Sequence, residues 1–167
     1  MSLSQLNLDP LLVNCVIEGT IGGLAMTGIK PKAVGVSRFS TASRELSVLV
    51  GLHGKRNGNM TLNLTDSTTK FLASRLIGGQ MNELNDDVVD AICEIGNMVA
   101  GKFHTMLNRT NYHFDSISLP ALIFGANYNV YYLKNISTVS VTFEIEELPV
   151  LHVKDKFFTS SLAVLGG

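Results

Sequence analysis

Glu94 and Asn97 stand three residues apart in the stretch DAICEIGNMVAGKFHTML, residues 90–107, and their types and spacing are the best chemical material in this chain. On a helix each residue advances about 100°, so with Asp90 at zero Glu94 falls at about 40°, Asn97 at about −20°, Gly101 at about 20° and His104 at about −40°. These five make one narrow polar stripe. Val88, Val89, Ile92, Ile95, Val99, Phe103, Met106 and Leu107 fall between about 140° and 260°, so the apolar face anchors the helix and the stripe looks outward. A generic solvated face carries Lys, Arg and Glu in helix-supporting pairs. This one has carboxylates, an amide and a glycine, with Lys102 off to the side. Gly101 costs about 1 kcal/mol relative to alanine in a helix interior, which is explained either by close approach of a partner or by packing against a neighbouring helix. Asn97 does not titrate and so is no general base, but its amide can accept from and donate to one water at once, as orienting a nucleophile requires. Glu94 can serve as a base, as a metal ligand or as acceptor for a partner's Lys or Arg. Geometry alone also leaves open an ordinary solvated surface.

Other chemistries find less support. His53, His104, His113 and His152 are scattered, with no Ser or Cys nucleophile placed beside them by sequence. Asp90 and Glu94 lack a His at helical spacing or a dense oxygen cluster, so no metal site is expected. Neither a phosphate-binding loop nor a dinucleotide glycine motif appears, and no cofactor of the chain's own is expected. Tyr128, Tyr131 and Tyr132 read as strand packing, and Lys55-Arg56 as a solvated turn. Cys15 and Cys93 lie within apolar helical patterns and suit buried, reduced thiols of a cytoplasmic protein. A formal net charge of −1 offers no basic patch for nucleic acid.

The elements that must hold the stripe follow from periodicity. The opening MSLSQLNLDP lacks the features of a signal peptide. Residues 11–29 approach the length of a membrane span, but Asn14, Glu18 and four glycines interrupt them, so a buried amphipathic helix is expected. Leu46, Val48, Val50 and Leu52 alternate, as do Met60, Leu62 and Leu64, which predicts a hairpin whose Asn57-Gly58 turn can adopt positive φ. A second helix is capped by Thr65 or Asp66, carries Phe71, Leu72, Leu76 and Ile77, and stops at Gly78. The third starts at Asn85, places Asp86 and Asp87 at the positive end of its dipole, staples Leu84 onto Val89 and runs to about Leu107 or Asn108. Strand-like pieces follow in FDSISLP, NYNVYYL, STVSVTFEI and PVLHVKD, the third alternating Val139, Val141, Phe143 and Ile145. The expectation is one α+β domain over residues 1–167, an antiparallel sheet packed against long helices, with 1–9 and 157–167 as peripheral tails.

The spacing along the third helix resembles the signature of the CheC/CheX/FliY family of bacterial chemotaxis phosphatases. There an Asp or Ser is followed after three residues by Glu, after two more by Asn and after another twenty-two by Pro. Asp90, Glu94, Asn97 and Pro120 stand at those separations. The continuation GNMVAG, the hairpin GLHGKRNGN and the helix end ASRLIGG also resemble the CheX branch, over roughly residues 10–155. CheC-like members carry two such motifs and CheX-like members one. In the first helix Glu18 is followed three later by Ile21, and Asn14 has Leu11 three before it, so one site per chain is offered.

The resemblance implies a CheX-like sandwich, a homodimer whose sheets join across the interface, and action on a phosphorylated CheY-like response regulator in chemotaxis or another two-component system. Glu94 would pair with the regulator's active-site Lys, and Asn97 would orient water for in-line attack on its aspartyl phosphate, with Mg²⁺ held by the partner's receiver domain. Asp90 would support the face or the docking, Gly101 would permit close approach, and Pro120 would shape the adjacent strand. The alternative is a non-catalytic regulator-binding or flagellar-switch module of the same fold. Neither nucleic acid nor membrane is expected as a partner.

Overall fold

The computed structural model describes residues 7–39, 41–130 and 135–165. In chain order its elements are α1 (Pro10–Gly23), a 3₁₀ turn (Ala25–Thr27), β1 (Lys32–Ser37), β2 (Thr41–Ala42), β3 (Leu46–His53), β4 (Gly58–Leu64), α2 (Asp66–Ile77) and α3 (Asp86–Leu107). There follow β5 (Ser116–Ile117), β6 (Ala121–Phe124), β7 (Tyr128–Asn129), β8 (Ile136–Glu144), a second 3₁₀ turn (Val153–Lys156) and β9 (Phe157–Leu165).

Apolar alternation puts one face of every long strand on the same side. The antiparallel sheet has the order β1-β8-β9-β4-β3-β5, with β6 also paired to β3. Its register aligns a row of inward residues, Val36, Val141, Ser160, Leu62, Val48 and Leu122, across six strands. Phe143 and Phe158 stack in that face with ring centroids 5.2 Å apart. α1 and α3 cover it side by side. Two glycines set how near they lie: a Cβ at Gly19 would stand 2.5 Å from the Phe103 ring, and one at Gly23 2.5 Å from Val99 Cγ2. Thr20 donates to Ser160 Oγ at 2.8 Å, so the one polar residue of the central row is satisfied by the helix above it. α2 packs on the first half of α3 through a separate cluster of Ala73, Val88 and Ala91.

The anticipated α+β architecture is present, and both later helices have the expected ends. Thr65 caps α2 by accepting from Thr68 N at 3.0 Å, and Gly78 closes it at φ 87°. Asn85 caps α3 by accepting from Val88 N at 3.0 Å. Elsewhere the expectations need correction. The helix anticipated over residues 11–29 ends at Gly23, because consecutive glycines weaken it and the chain turns through Gly28 at φ 73°. Residues 10–27 have the length and apolarity of a membrane span, but half of them are buried inside the fold. Asn57 and Gly58 do not adopt positive φ. Gly58 serves close approach instead, since a Cβ there would lie 2.3 Å from Ala163 O.

Residues 157–165 are no tail: they form β9, held between β8 and β4 in the middle of the sheet. At the other end Leu8 is buried and Asp9 caps α1 through Leu11 N at 2.8 Å, which ties residues 8 and 9 into the fold. PVLHVKD is irregular and then enters the 3₁₀ turn Val153–Lys156 where a strand was expected, and β1 and β6 are strands the periodicity does not reveal. Tyr131 and Tyr132 lie outside the described residues, while Tyr128 joins β7, paired to β2.

Candidate functional site

α3 is seated on the sheet by a third glycine. A Cβ at Gly96 would come within 2.5 Å of Val48 Cγ1, so the helix backbone rests almost directly on β3. That contact fixes its rotation. Ile92, Ile95, Val99, Phe103 and Leu107 are fully buried, and Asp90 and Glu94 are exposed with Asn97, Gly101 and His104 half-buried beside them. The stripe expected from helical geometry is therefore assembled on one face.

Asp90, Glu94 and Asn97 make no side-chain hydrogen bond or ion pair among the described residues. Lys102, the nearest cation in sequence, is drawn the other way: its stem lies against α1, 3.6 Å from where a Gly22 Cβ would be. Gly101 faces open space, for a Cβ there would meet nothing within 4 Å, and its carbonyl accepts from Thr105 Oγ1 at 2.9 Å. A packing role between helices is thereby removed for this glycine. Cys93 borders the stripe, its thiol pushed up from the ordinary range by burial and then by the negative charge of Asp90. Cys15, behind the helix, is pushed up to about 12 by burial.

Pro120 is carried by a neighbouring segment: the strands on either side of it, β5 and β6, both contact α3. It stands in the gap between β5 and β6, the two short segments paired to β3 at the sheet edge. Edge strands tolerate a residue without N–H. The pairing lost in the gap is repaired by Ser118, whose Oγ accepts from Gly51 N at 2.8 Å and whose N–H donates to Gly51 O at 2.9 Å. Pro120 thus stands at the edge of the sheet, next to the strand on which α3 rests.

One feature beside the pair escaped sequence reasoning. Between the end of α2 and the start of α3 runs an open groove of about 550 Å³, lined by Leu76, Ile77, Asp87, Asp90, Ala91 and Glu94. Ile77 is 47% exposed, although periodicity assigns it to the apolar stripe of its helix. Its place in the last turn, next to Gly78, was the available signal.

The model of the family described as chemotaxis phosphatase CheX matches residues 46–144, more than half of the 167 in the chain. The chain belongs to the CheX family. The CheY-P phosphatase CheX of Thermotoga maritima is 27% identical over 153 residues, covering 89% of this chain and 98% of that protein. Among solved structures, the chemotaxis protein CheX of Vibrio vulnificus superposes with a TM-score of 0.76 at 20% identity, covering 92% of this chain and 98% of the other. CheX in the CheX–CheY–BeF₃–Mg²⁺ complex of Borrelia burgdorferi gives 0.73 at 22% identity, over 92% and 97%. These two likenesses establish the shared CheX fold, and the matched segment contains Asp90, Glu94, Asn97 and Pro120 together.

Proposed function

We propose that this CheX-family chain hydrolyses the aspartyl phosphate of a phosphorylated CheY-like response regulator. The observation that carries the reading is the pair of uncommitted side chains, Glu94 and Asn97, on the exposed face of a helix whose opposite face is locked into the core. A carboxylate and an amide without partners of their own are ready to take partners from another molecule. The family membership and the named activity of the Thermotoga maritima relative support the same reaction.

In this mechanism Glu94 accepts from the regulator's active-site lysine and orients the two proteins. Asn97 enters the regulator's site, where its amide accepts from and donates to one water and aligns it with the phosphorus. The water oxygen forms a new bond to phosphorus as the bond to the aspartyl oxygen breaks, which releases inorganic phosphate and restores the regulator's carboxylate. Mg²⁺ belongs to the regulator and offsets the charge on the phosphoryl oxygens. Since an amide takes no proton at neutral pH, its contribution is position, which is worth orders of magnitude in an in-line displacement. We extend the reading to a cytoplasmic homodimer joined at a sheet edge, with a solution mass of twice 18.1 kDa as its check.

The deciding experiment follows loss of phosphate from a phosphorylated receiver domain in Mg²⁺, with wild type and with Asn97→Ala. Acceleration lost in the variant with binding retained supports the proposal. Binding without acceleration by the wild type makes the chain a non-catalytic interaction module. For Glu94→Ala the expected change is mainly in binding; an unchanged KM would count against the lysine pairing.

A further inference from the structure

The groove between α2 and α3 has two walls of different chemistry. Leu76 and Ile77 form the α2 side, and Asp87, Asp90 and Glu94 line the α3 side above Ala91. Asp86 and Asp87 are favoured by the positive end of the α3 dipole, but Asp90 and Glu94 lie beyond the first turn and repel their neighbours at helical spacing. No cation pairs with Asp87, Asp90 or Glu94 among the described residues. Such a groove rejects anionic surfaces, and a purely apolar occupant would leave the carboxylates facing it unpaired. It suits a segment that presents a lysine or arginine next to an apolar side chain, the cation to α3 and the apolar group to Ile77. Glu94 is itself one of the lining residues, so a lysine brought to Glu94 stands at the edge of the groove.

We propose that the groove docks the response regulator through such a basic and apolar segment, so that regulator choice resides in Ile77 and Asp87 while turnover resides in Asn97. The proposal rests on the phosphatase reading for its partner. Neither Ile77 nor Asp87 touches the reacting atoms in this arrangement; both are specificity residues.

The test uses the full chain, with a receiver domain carrying beryllofluoride and Mg²⁺ for binding and the phosphorylated receiver for turnover. Ile77→Asp and Asp87→Lys are compared with Glu147→Lys, a charge reversal at an exposed position away from the groove. Both groove variants should raise Kd and KM about tenfold, as loss of one good contact does, with kcat within about twofold of wild type. Asp87→Lys should also flatten the salt dependence of Kd. Ile77→Ala and Asp87→Asn, which disturb folding least, should show the same split in smaller measure. Unchanged Kd and KM in all four variants would overturn the proposal while leaving the phosphatase reading intact. So would equal weakening by Glu147→Lys, or a change confined to oligomeric state, which would assign the groove to a second copy of the chain. If the wild type binds without turning over and the groove variants bind more weakly, the groove stands and the phosphatase reading falls. Absence of binding by the wild type to every receiver tried would overturn both.

Discussion

Gly96 and Gly101 lie five residues apart on one helix, the first between the two members of the chemical pair and the second one turn beyond it, yet they answer opposite needs. At Gly96 a methyl group would collide with Val48 of the sheet; at Gly101 it would meet nothing. Both bear the same cost in helix propensity, about 1 kcal/mol relative to alanine. The inward one is explained by the fold. For the outward one the chain offers no packing reason, and the explanation passes to whatever approaches from outside. The same division runs along the whole of α3, whose inner face is committed to the core while Asp90, Glu94 and Asn97 remain without partners among the described residues.

That contrast can be broken at several points. The largest effect is expected from Asn97→Ala, which should lower turnover of the regulator's phosphate about 100-fold or more by loss of positioning, with an unchanged melting temperature. A parallel fall in stability would place Asn97 with the inner face. Gly96→Ala should destabilise the fold by about 1–3 kcal/mol through overpacking, read from urea denaturation. Adding Val48→Ala should recover part of that loss, since it removes the methyl in the way; no recovery would mean that the clash lies elsewhere. Gly101→Ala should do the reverse, raising stability by about 0.4–1 kcal/mol while weakening regulator binding. Greater stability with unaltered binding would deny the close approach. The smallest effect concerns thiols: Cys93 should react slowly with alkylating reagents in the native state and more slowly still when the regulator is bound, whereas Cys15 should react only on unfolding, as peptide mass mapping would show. Equal labelling of the two would contradict their placement on opposite sides of the helix.

The candidate site was more legible than much of the fold, for a physical reason. Asn85, Thr65, Gly78 and the polar stripe are local signals, written by residues that act within one or two turns of their own helix. The sheet depends on distant partners. FFTSSLAVLGG reads as nothing in particular because both faces of β9 are covered, so its polar residues are buried too, Ser160 bonded to Thr20 and Ser161 to Ser140. Alternation is the signature of a strand with one wet face, and a central strand need not show it. β6 is only four residues long, and β1 carries Gly35 and an irregular register against β8. The groove was unreadable because it lies between two helices, each ordinary by itself.

The central position of β9 also bears on how the protein is made. Among the described strands it is the last in sequence, yet it bridges the β3–β4 hairpin on one side and β8 on the other. Until it emerges, the two halves of the sheet have no common border, and the helices above them have no complete floor. Assembly of the sheet therefore waits on Phe157–Leu165, so that a chain cut short before Phe157 would hold every chemical residue named above and lack the surface that keeps them in place.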